Sequence, residues 1–318
     1  MIISFILFIV GLGLLIKGAG YLVDGASSLA KKIGVSTLVI GLTVVAFGTS
    51  MPELIVNIFA SVKGAADIAV GDIIGSNIFN ILFILGVTAV FFPLIVKKDT
   101  VRKEIPLALL AVILVAIMAN DKIIDGGTFS ALTRIDGWVL ISFFAIFLYY
   151  VFGISKVGAG SNADVKIYSM SVSFLMIVGG SVGLIVGGKL IIDAAVVIAR
   201  ILGVSEALIG LTIVAAGTSL PELATSAVAA YKKNPDIAVG NIVGSNIFNV
   251  FFILGISALI RPLPLSPVLN SDFLVAIFAT FLLFIFMFIG KRRILKRWQG
   301  AVFVFIYVIY IAHLVIRG

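Results

Sequence analysis

The chain has 318 residues, of which 61% are hydrophobic and only 12% are charged, with a net charge of +8 and no cysteine. Soluble domains carry about a quarter charged residues, so this composition excludes a water-soluble protein and requires lipid as the outer solvent. The lack of cysteine excludes disulfides and thiolate metal sites. The basic residues fall mainly in loops on one predicted membrane side, which argues against a nucleic-acid partner.

Ten apolar stretches follow one another along the chain, and each approaches the length of about 20 residues that a helix needs to cross a bilayer. The first lacks a basic leading segment, so we interpret it as a retained membrane helix rather than a signal peptide. Strands are not expected, because no stretch alternates as barrel strands do. The sequence predicts an all-α integral membrane protein with spans at 2–22, 36–61, 67–92, 104–119, 135–153, 168–190, 205–231, 236–259, 272–290 and 298–316.

The distribution of lysine and arginine predicts the orientation of these spans. With the N-terminus outside, 15 basic residues fall on the inner side and 6 on the outer side. Cytoplasmic loops carry such an excess of basic residues. We therefore expect a multi-pass protein of the cell (plasma) membrane with both termini outside and the lipid bilayer as its partner.

The chain contains an internal duplication. Residues 41–86 align with 210–255 without a gap, at a constant offset of 169, and 29 of the 46 positions are identical. Each half holds five predicted spans, and this odd number inverts the second half in the membrane. The sequence predicts a first repeat at 1–153, a linker at 154–167 and a second repeat at 168–318.

The first duplicated motif reads GTSMPE at 48–53 and GTSLPE at 217–222. Each copy lies within an apolar span and contains a proline, which removes a backbone donor and clashes with the preceding turn. We expect both helices to break there and to release carbonyl oxygens, including those near Ala46 and Ala215. Broken helices at membrane depth require a cavity or other protein groups around them.

Each copy of this motif ends in a glutamate, Glu53 or Glu222. A carboxylate at membrane depth costs several kcal/mol unless it is paired or ligated, and a bound cation removes that cost. Ca2+ takes about six to eight oxygen ligands. The two motifs offer no histidine or cysteine, which argues against Zn2+ or Cu+ at this site. The hydroxyls available beside the two acids are those of Thr49, Ser50, Thr218 and Ser219.

The second duplicated motif reads GDIIGSNIFN at 71–80 and GNIVGSNIFN at 240–249. Residues four apart share a helix face, so each copy places a serine and an asparagine together as neutral ligands suited to Na+. These pairs are Ser76 with Asn80 and Ser245 with Asn249.

Three further residues have open roles. Asn57 and Ser226 lie one turn after the glutamates, and the sequence leaves open whether they contribute ligands to the ion site. Asp72 has no acidic counterpart, because Asn241 occupies the matching position. It either lines an ion entrance or caps the start of its helix.

The doubled motifs resemble the α-repeats of the sodium/calcium exchangers of prokaryotic type, in the calcium/cation antiporter superfamily. The resemblance implies alternating access, with the first and sixth helices sliding across the rest and Na+ driving Ca2+. It implies no enzyme activity and no cofactor, only transported ions. The implied Ca2+ ligands are Glu53, Glu222, Thr49 and Thr218. The implied Na+ and lining residues are Ala46, Ser50, Ser76, Asn80, Ala215, Ser219, Ser245 and Asn249.

Alternative functions remain open at the level of sequence. Some K+-dependent relatives have an aspartate at the position of Asn249, and proton-coupled relatives typically show GNAxE in place of GTSxPE. Both departures favour Na+ coupling here. A cation channel, a H+-coupled or K+-dependent antiporter and a structural membrane protein are the rivals to Na+/Ca2+ antiport.

Overall fold

The computed structural model describes residues 2–124, 126, 129–155, 166–202, 215–290 and 293–317. We number the helices in chain order and count a π-helical or 3-10 turn as part of the helix that it joins. The bounds are α1 Ile2–Ile33, α2 Thr37–Thr49, α3 Met51–Lys63, α4 Ala66–Phe91, α5 100–118, α6 Asp121–Ile124, α7 Arg134–Ser155, α8 Met170–Ile201, α9 Ala215–Gly217, α10 Leu220–Tyr231, α11 Pro235–Ile260, α12 Pro267–Phe286 and α13 Arg297–Arg317.

The protein is a helical, multi-span membrane protein. In the described part of the chain, seven helices are long and apolar enough to cross a bilayer, or eight when the bent pair α2 and α3 counts as one span. Two predicted spans are not among these. The stretch 104–119 lies in α5, which begins with a π-helical turn. The stretch 205–231 lies partly in residues 203–214, outside the described residues.

Helices α1 and α8 are longer than the sequence predicts. Both continue 11 residues past the predicted ends at 22 and 190, because the charged residues near those ends, Asp24 and Asp193, do not terminate the helices. Each has 32 residues. At about 1.5 Å per residue, such a helix is longer than the bilayer core is thick.

Glycines bring α1 and α8 into backbone contact. A Cβ atom on Gly11 would lie 2.8 Å from the carbonyl oxygen of Gly187, and one on Gly25 would lie 2.8 Å from that of Ser173. Small residues permit such approach between membrane helices. Because the contact moves backward along α8 as it moves forward along α1, the two helices are antiparallel.

Helices α4 and α11, which carry the second motif, form the centre of the molecule. In their apolar stretches, 78% and 83% of the residues are buried, compared with 33% in α1 and 28% in α8. Both contain a seven-residue π-helical turn, at Phe79–Leu85 and Phe248–Leu254. The serines and asparagines of the second motif are therefore shielded from lipid.

The expectation that strands are absent is wrong in detail, because four two-residue strands form two antiparallel pairs. Strand β1 (Leu94–Ile95) pairs with β4 (Ile294–Leu295), and β2 (Ala131–Leu132) pairs with β3 (Leu263–Pro264). These pairs join loops between helices, and they are too short to produce an alternating sequence pattern. Each pair connects the two halves of the chain.

Candidate cation site

The helical structure is interrupted within both copies of the first motif. Helices α2 and α3 are bent by 49° at their junction. Ser50 lies at the break with φ −81° and ψ 10°, and Ser219 precedes α10 with φ −89° and ψ 8°. Pro52 and Pro221 follow in the first turn of α3 and α10, where a missing N–H costs no helical hydrogen bond. The predicted interruption is present in both halves.

The break places a serine of each half against the glutamate of the other. Ser50 Oγ donates a 3.0 Å hydrogen bond to Glu222 Oε1, and Ser219 Oγ donates one of 3.0 Å to Glu53 Oε1. Both glutamates have no exposed surface. The two predicted acids therefore belong to one buried polar cluster that crosses between the repeats.

Among the described residues, no cationic side chain pairs with either glutamate. Within the same part of the chain, each glutamate keeps its second oxygen, Oε2, without a hydrogen-bond partner. Burying a carboxylate without a positive partner costs several kcal/mol. A cation that meets both free oxygens would offset that cost.

The two predicted threonine ligands occupy matching positions with different partners. Thr49 Oγ1 donates to Asn241 Oδ1 at 2.9 Å and also lies 3.5 Å from Ser245 Oγ. Thr218 Oγ1 lies 3.5 Å from Asp72 Oδ1. The hydroxyl of Thr49 therefore lies beside a neutral amide and the Glu222 carboxylate, while that of Thr218 lies beside the Asp72 carboxylate.

The residues of uncertain role lie in these same networks. Asn57 Nδ2 donates to Asp72 Oδ2 at 2.7 Å and to the backbone oxygen of Glu53 at 3.1 Å. In the other half, Ser226 Oγ donates to the Ala238 carbonyl at 3.3 Å and accepts from Asn241 Nδ2 at 3.1 Å. The Ser226 hydroxyl is thus committed to protein partners, whereas Asn57 Oδ1 has none among the described residues.

Ala46 differs from the expectation of a released carbonyl. Its oxygen accepts a hydrogen bond from Ser50 N at 3.0 Å and lies 3.2 Å from Thr49 Oγ1, whose single proton is shared between this carbonyl and Asn241 Oδ1. The hydroxyl of Thr49 bonds back to its own helix here, as threonine commonly does. An ion at this carbonyl would have to replace the threonine hydroxyl. Ala215 begins α9, and its side chain lies outside the described part of the structure.

The second motif supplies buried oxygens beside the first. Ser245 Oγ lies 3.4 Å from Glu222 Oε1. Three other predicted ligands hold an oxygen that is buried and has no hydrogen-bond partner among the described residues. These atoms are Ser76 Oγ, Asn80 Oδ1 and Asn249 Oδ1.

The structure does not gather three acidic or imidazole side chains at one point. Among the described residues, no group of three or more His, Cys, Asp or Glu side chains is placed to hold a metal ion. Any cation here must therefore rely on two carboxylates together with neutral oxygens. Ca2+ accepts such mixed oxygen sets, in which carbonyls, amides and waters complete the coordination.

Sequence reasoning missed three asparagines of the second motif that the structure places in the networks around the site. Asn241 joins Thr49 to Ser226, and Asn77 and Asn246 hydrogen-bond across the two repeats. Their presence in both copies of GSNIFN was the available signal for the last two. Their partners were not readable, because periodicity does not specify which faces of distant helices meet.

The fold and the buried acids define the class of protein, a multi-span helical membrane protein with two carboxylates linked across its halves. The sequence profile of the family described as Sodium/calcium exchanger protein matches residues 3–153 and 172–316. This match spans both halves, and the chain belongs to that family.

Individual relatives agree with this assignment. The chain is 32% identical over 342 residues to the sodium/calcium exchanger MaX1 of Methanosarcina acetivorans, covering 97% of each protein. It is 37% identical over 307 residues to an uncharacterized membrane protein of Methanocaldococcus jannaschii, covering 96% of each. Among solved structures, the sodium-calcium exchanger NCX_Mj soaked with 10 mM Na+ and zero Ca2+ superposes with a TM-score of 0.83, at 36% identity and 98% coverage of both chains.

Proposed function

We propose that this protein exchanges Na+ for Ca2+ across the cell membrane by alternating access, with Glu53 and Glu222 as the central ligands. The observation that carries this proposal is the reciprocal pair of hydrogen bonds, Ser50 to Glu222 and Ser219 to Glu53. Each acid is held by the opposite repeat and keeps one free oxygen. A divalent ion between them neutralises both charges and joins the repeats.

Exchange follows from the charge of the site. Ca2+ or Na+ would neutralise the same two buried carboxylates, and both kinds of ion cannot occupy the same oxygens. Thr49 and Thr218 would complete the Ca2+ shell. The neutral oxygens that would hold Na+ are those of Ser50, Ser76, Asn80, Ser219, Ser245 and Asn249. Ala46 would contribute its carbonyl only after the turn around it rearranges, and Ala215 is proposed to contribute the matching carbonyl.

The transport cycle is proposed to rest on ten spans arranged as two inverted repeats, 1–153 and 168–318. The antiparallel packing of α1 on α8 supports inversion, because these are the first helices of the two halves. The matching breaks before α3 and α10 support it too. Inverted repeats with discontinuous helices form midplane ion sites in many transporters. Most of the proposed linker 154–167 lies outside the described residues.

The proposed orientation places both termini outside. Charged contacts support the grouping of the loops on two sides, because loops predicted to lie on the same side meet each other, and the orientation itself rests on the excess of basic residues on one side. Lys97 pairs with Asp236 at 2.7 Å, and Lys232 pairs with Asp24 at 2.6 Å. At the predicted outer end, Arg261 lies against Gly64. A basic inner end is the usual arrangement in bacterial and other membranes.

Vesicles containing the purified protein test the function directly. Vesicles loaded with Na+ and diluted into radiolabelled Ca2+ should accumulate Ca2+ and stop doing so when the Na+ gradient is collapsed. Uptake driven by a pH gradient alone would indicate H+ coupling, and uptake that requires K+ would indicate K+ dependence. Passive flux without any opposing gradient would indicate a channel. Any of these three outcomes would contradict Na+/Ca2+ antiport.

A further inference from the structure

Four asparagines form a hydrogen-bonded network between the two central helices. Asn77 and Asn80 lie on α4, and Asn246 and Asn249 lie at the matching positions of α11, again at an offset of 169. At most 2% of each residue is exposed. We call this network the asparagine clasp, with Asn77 and Asn246 as its inner residues and Asn80 and Asn249 as its outer residues.

The inner residues bond to each other's backbone. Asn77 Nδ2 donates to the Asn246 carbonyl at 3.2 Å, and Asn246 Nδ2 donates to the Asn77 carbonyl at 3.4 Å. A backbone carbonyl only accepts hydrogen bonds. The amino end of each inner side chain must therefore face the opposite helix, which determines where its oxygen end points.

The oxygen of each inner residue then holds one outer residue. Asn77 Oδ1 accepts from Asn249 Nδ2 at 3.1 Å, and Asn246 Oδ1 accepts from Asn80 Nδ2 at 2.9 Å. Because the clasp uses the amino end of each outer amide, the oxygen end must turn away from it. Asn80 Oδ1 and Asn249 Oδ1 are the buried oxygens without partners described above.

The free oxygen ends lie on turns that contact the glutamate helices. The π-helical turn that carries Asn80 packs against α10, the helix of Glu222. The turn that carries Asn249 packs against α3, the helix of Glu53. The two ends of a carboxamide have nearly the same size, so shape alone does not prevent an outer residue from presenting its NH2 group to a cation. An NH2 group cannot bind a cation, since it offers only donors.

We propose that Asn77 and Asn246 are positioning residues, which orient the Asn249 and Asn80 oxygens toward the transported cation. The inference rests on the proposed function, because it assumes a cation between the glutamates. It predicts that each inner residue acts through the outer residue of the other repeat. Outer-shell partners that orient metal ligands typically contribute about 10- to 100-fold to metal affinity.

Double-mutant cycles in Na+-loaded vesicles test this pairing. Asn77→Ala and Asn249→Ala should each raise the Ca2+ concentration for half-maximal uptake about tenfold. The double variant should be no worse than either single variant, within about twofold. By contrast, Asn77→Ala combined with Asn80→Ala should multiply the two effects, because these side chains share no hydrogen bond. Asn246→Ala with Asn80→Ala forms the mirror cycle and answers the question if Asn77→Ala does not fold.

A matched control separates orientation from general packing. Asn120 also bridges two helices through an amide pair, since its Nδ2 donates to Asn270 Oδ1 at 2.8 Å. Asn120→Ala should leave the half-maximal Ca2+ concentration unchanged. Multiplying effects of Asn77→Ala and Asn249→Ala, or no effect of Asn77→Ala on affinity, would overturn the inference. A failure of the proposed function would instead appear in the wild-type protein, as Ca2+ uptake that ignores the Na+ gradient.

Discussion

The two halves of the site make the same serine–glutamate hydrogen bonds across their interface, but the hydrogen-bond networks beside those bonds differ. The serine–glutamate bonds match in length, at 3.0 Å in each direction. The flanking networks do not match, because Asp72 stands in one half where Asn241 stands in the other. Asn57 supplies the amide that satisfies Asp72, while Asn241 supplies its own amide to Ser226.

The difference shows which side chains an ion shared by both halves requires and which side chains can differ between the halves. One ion between the halves needs the same ligand from both, and the glutamates and serines are identical. The flanks use different hydrogen-bonded pairs, Asn57–Asp72 in the first half and Ser226–Asn241 in the second, and these pairs carry different charges. The first half therefore carries one more carboxylate near the site than the second.

Removing the charge of either central glutamate should have the largest effect on transport. Glu53→Gln and Glu222→Gln should both abolish Na+-driven Ca2+ uptake, because one carboxylate cannot neutralise a buried divalent ion. Asp193→Asn is the matched control, since this helical acid pairs with Lys189 at 3.1 Å and is exposed. It should transport normally. Retained uptake in only one of the glutamine variants would show that the halves are unequal at their centre.

Alanine substitutions at the matching glycines Gly244 and Gly75 should have the second largest effect, on stability, and should affect the two halves differently. A Cβ on Gly244 would lie 2.8 Å from the Leu42 carbonyl oxygen and 2.9 Å from Ala46 Cβ, whereas one on Gly75 meets no atom within 4 Å among the described residues. Gly244→Ala should reduce the free energy of unfolding by about 1–3 kcal/mol, and Gly75→Ala should not. Thermal unfolding in detergent measures both variants. Equal losses would contradict the difference in packing.

The reciprocal serines should have equal, smaller effects. Ser50→Ala and Ser219→Ala each remove one hydrogen bond to a glutamate, and each should weaken apparent Na+ affinity about fivefold, which corresponds to about 1 kcal/mol. Ser61→Ala on α3 is the control, because the Ser61 hydroxyl is buried without a partner among the described residues. Effects that differ by tenfold or more would show that the two bonds are not equivalent.

Removing the charge of Asp72, beside the central glutamates, should have the smallest effect on cation affinity. Asp72→Asn removes a carboxylate from the edge of the site and should weaken apparent Ca2+ affinity about threefold without changing the maximal rate. Asn241→Asp should strengthen it by a similar factor. Combining both substitutions moves the charge between halves and should restore the wild-type affinity. An unchanged affinity in Asp72→Asn would mean that Asp72 only supports Asn57 and Thr218.

Sequence was sufficient for the parts of the site that depend on local chemistry. A proline inside an apolar span predicts a break, and a constant offset pairs Glu53 with Glu222. Sequence was insufficient for contacts between helices. The bonds from Ser50 to Glu222 and from Asn249 to Asn77 depend on which helix faces meet, and no local pattern encodes that. The ends of α1 and α8 were missed because these helices continue past the charged residues near the predicted ends, Asp24 and Asp193.

The most direct test of the account is a crystal structure with Ca2+ bound, compared with one in Ca2+-free buffer. The account predicts one strong difference peak between the glutamates, within about 2.3–2.6 Å of an oxygen of both Glu53 and Glu222. The same peak should be lost at high Na+. A Ca2+ peak that contacts only one glutamate, or lies elsewhere in the protein, would contradict it.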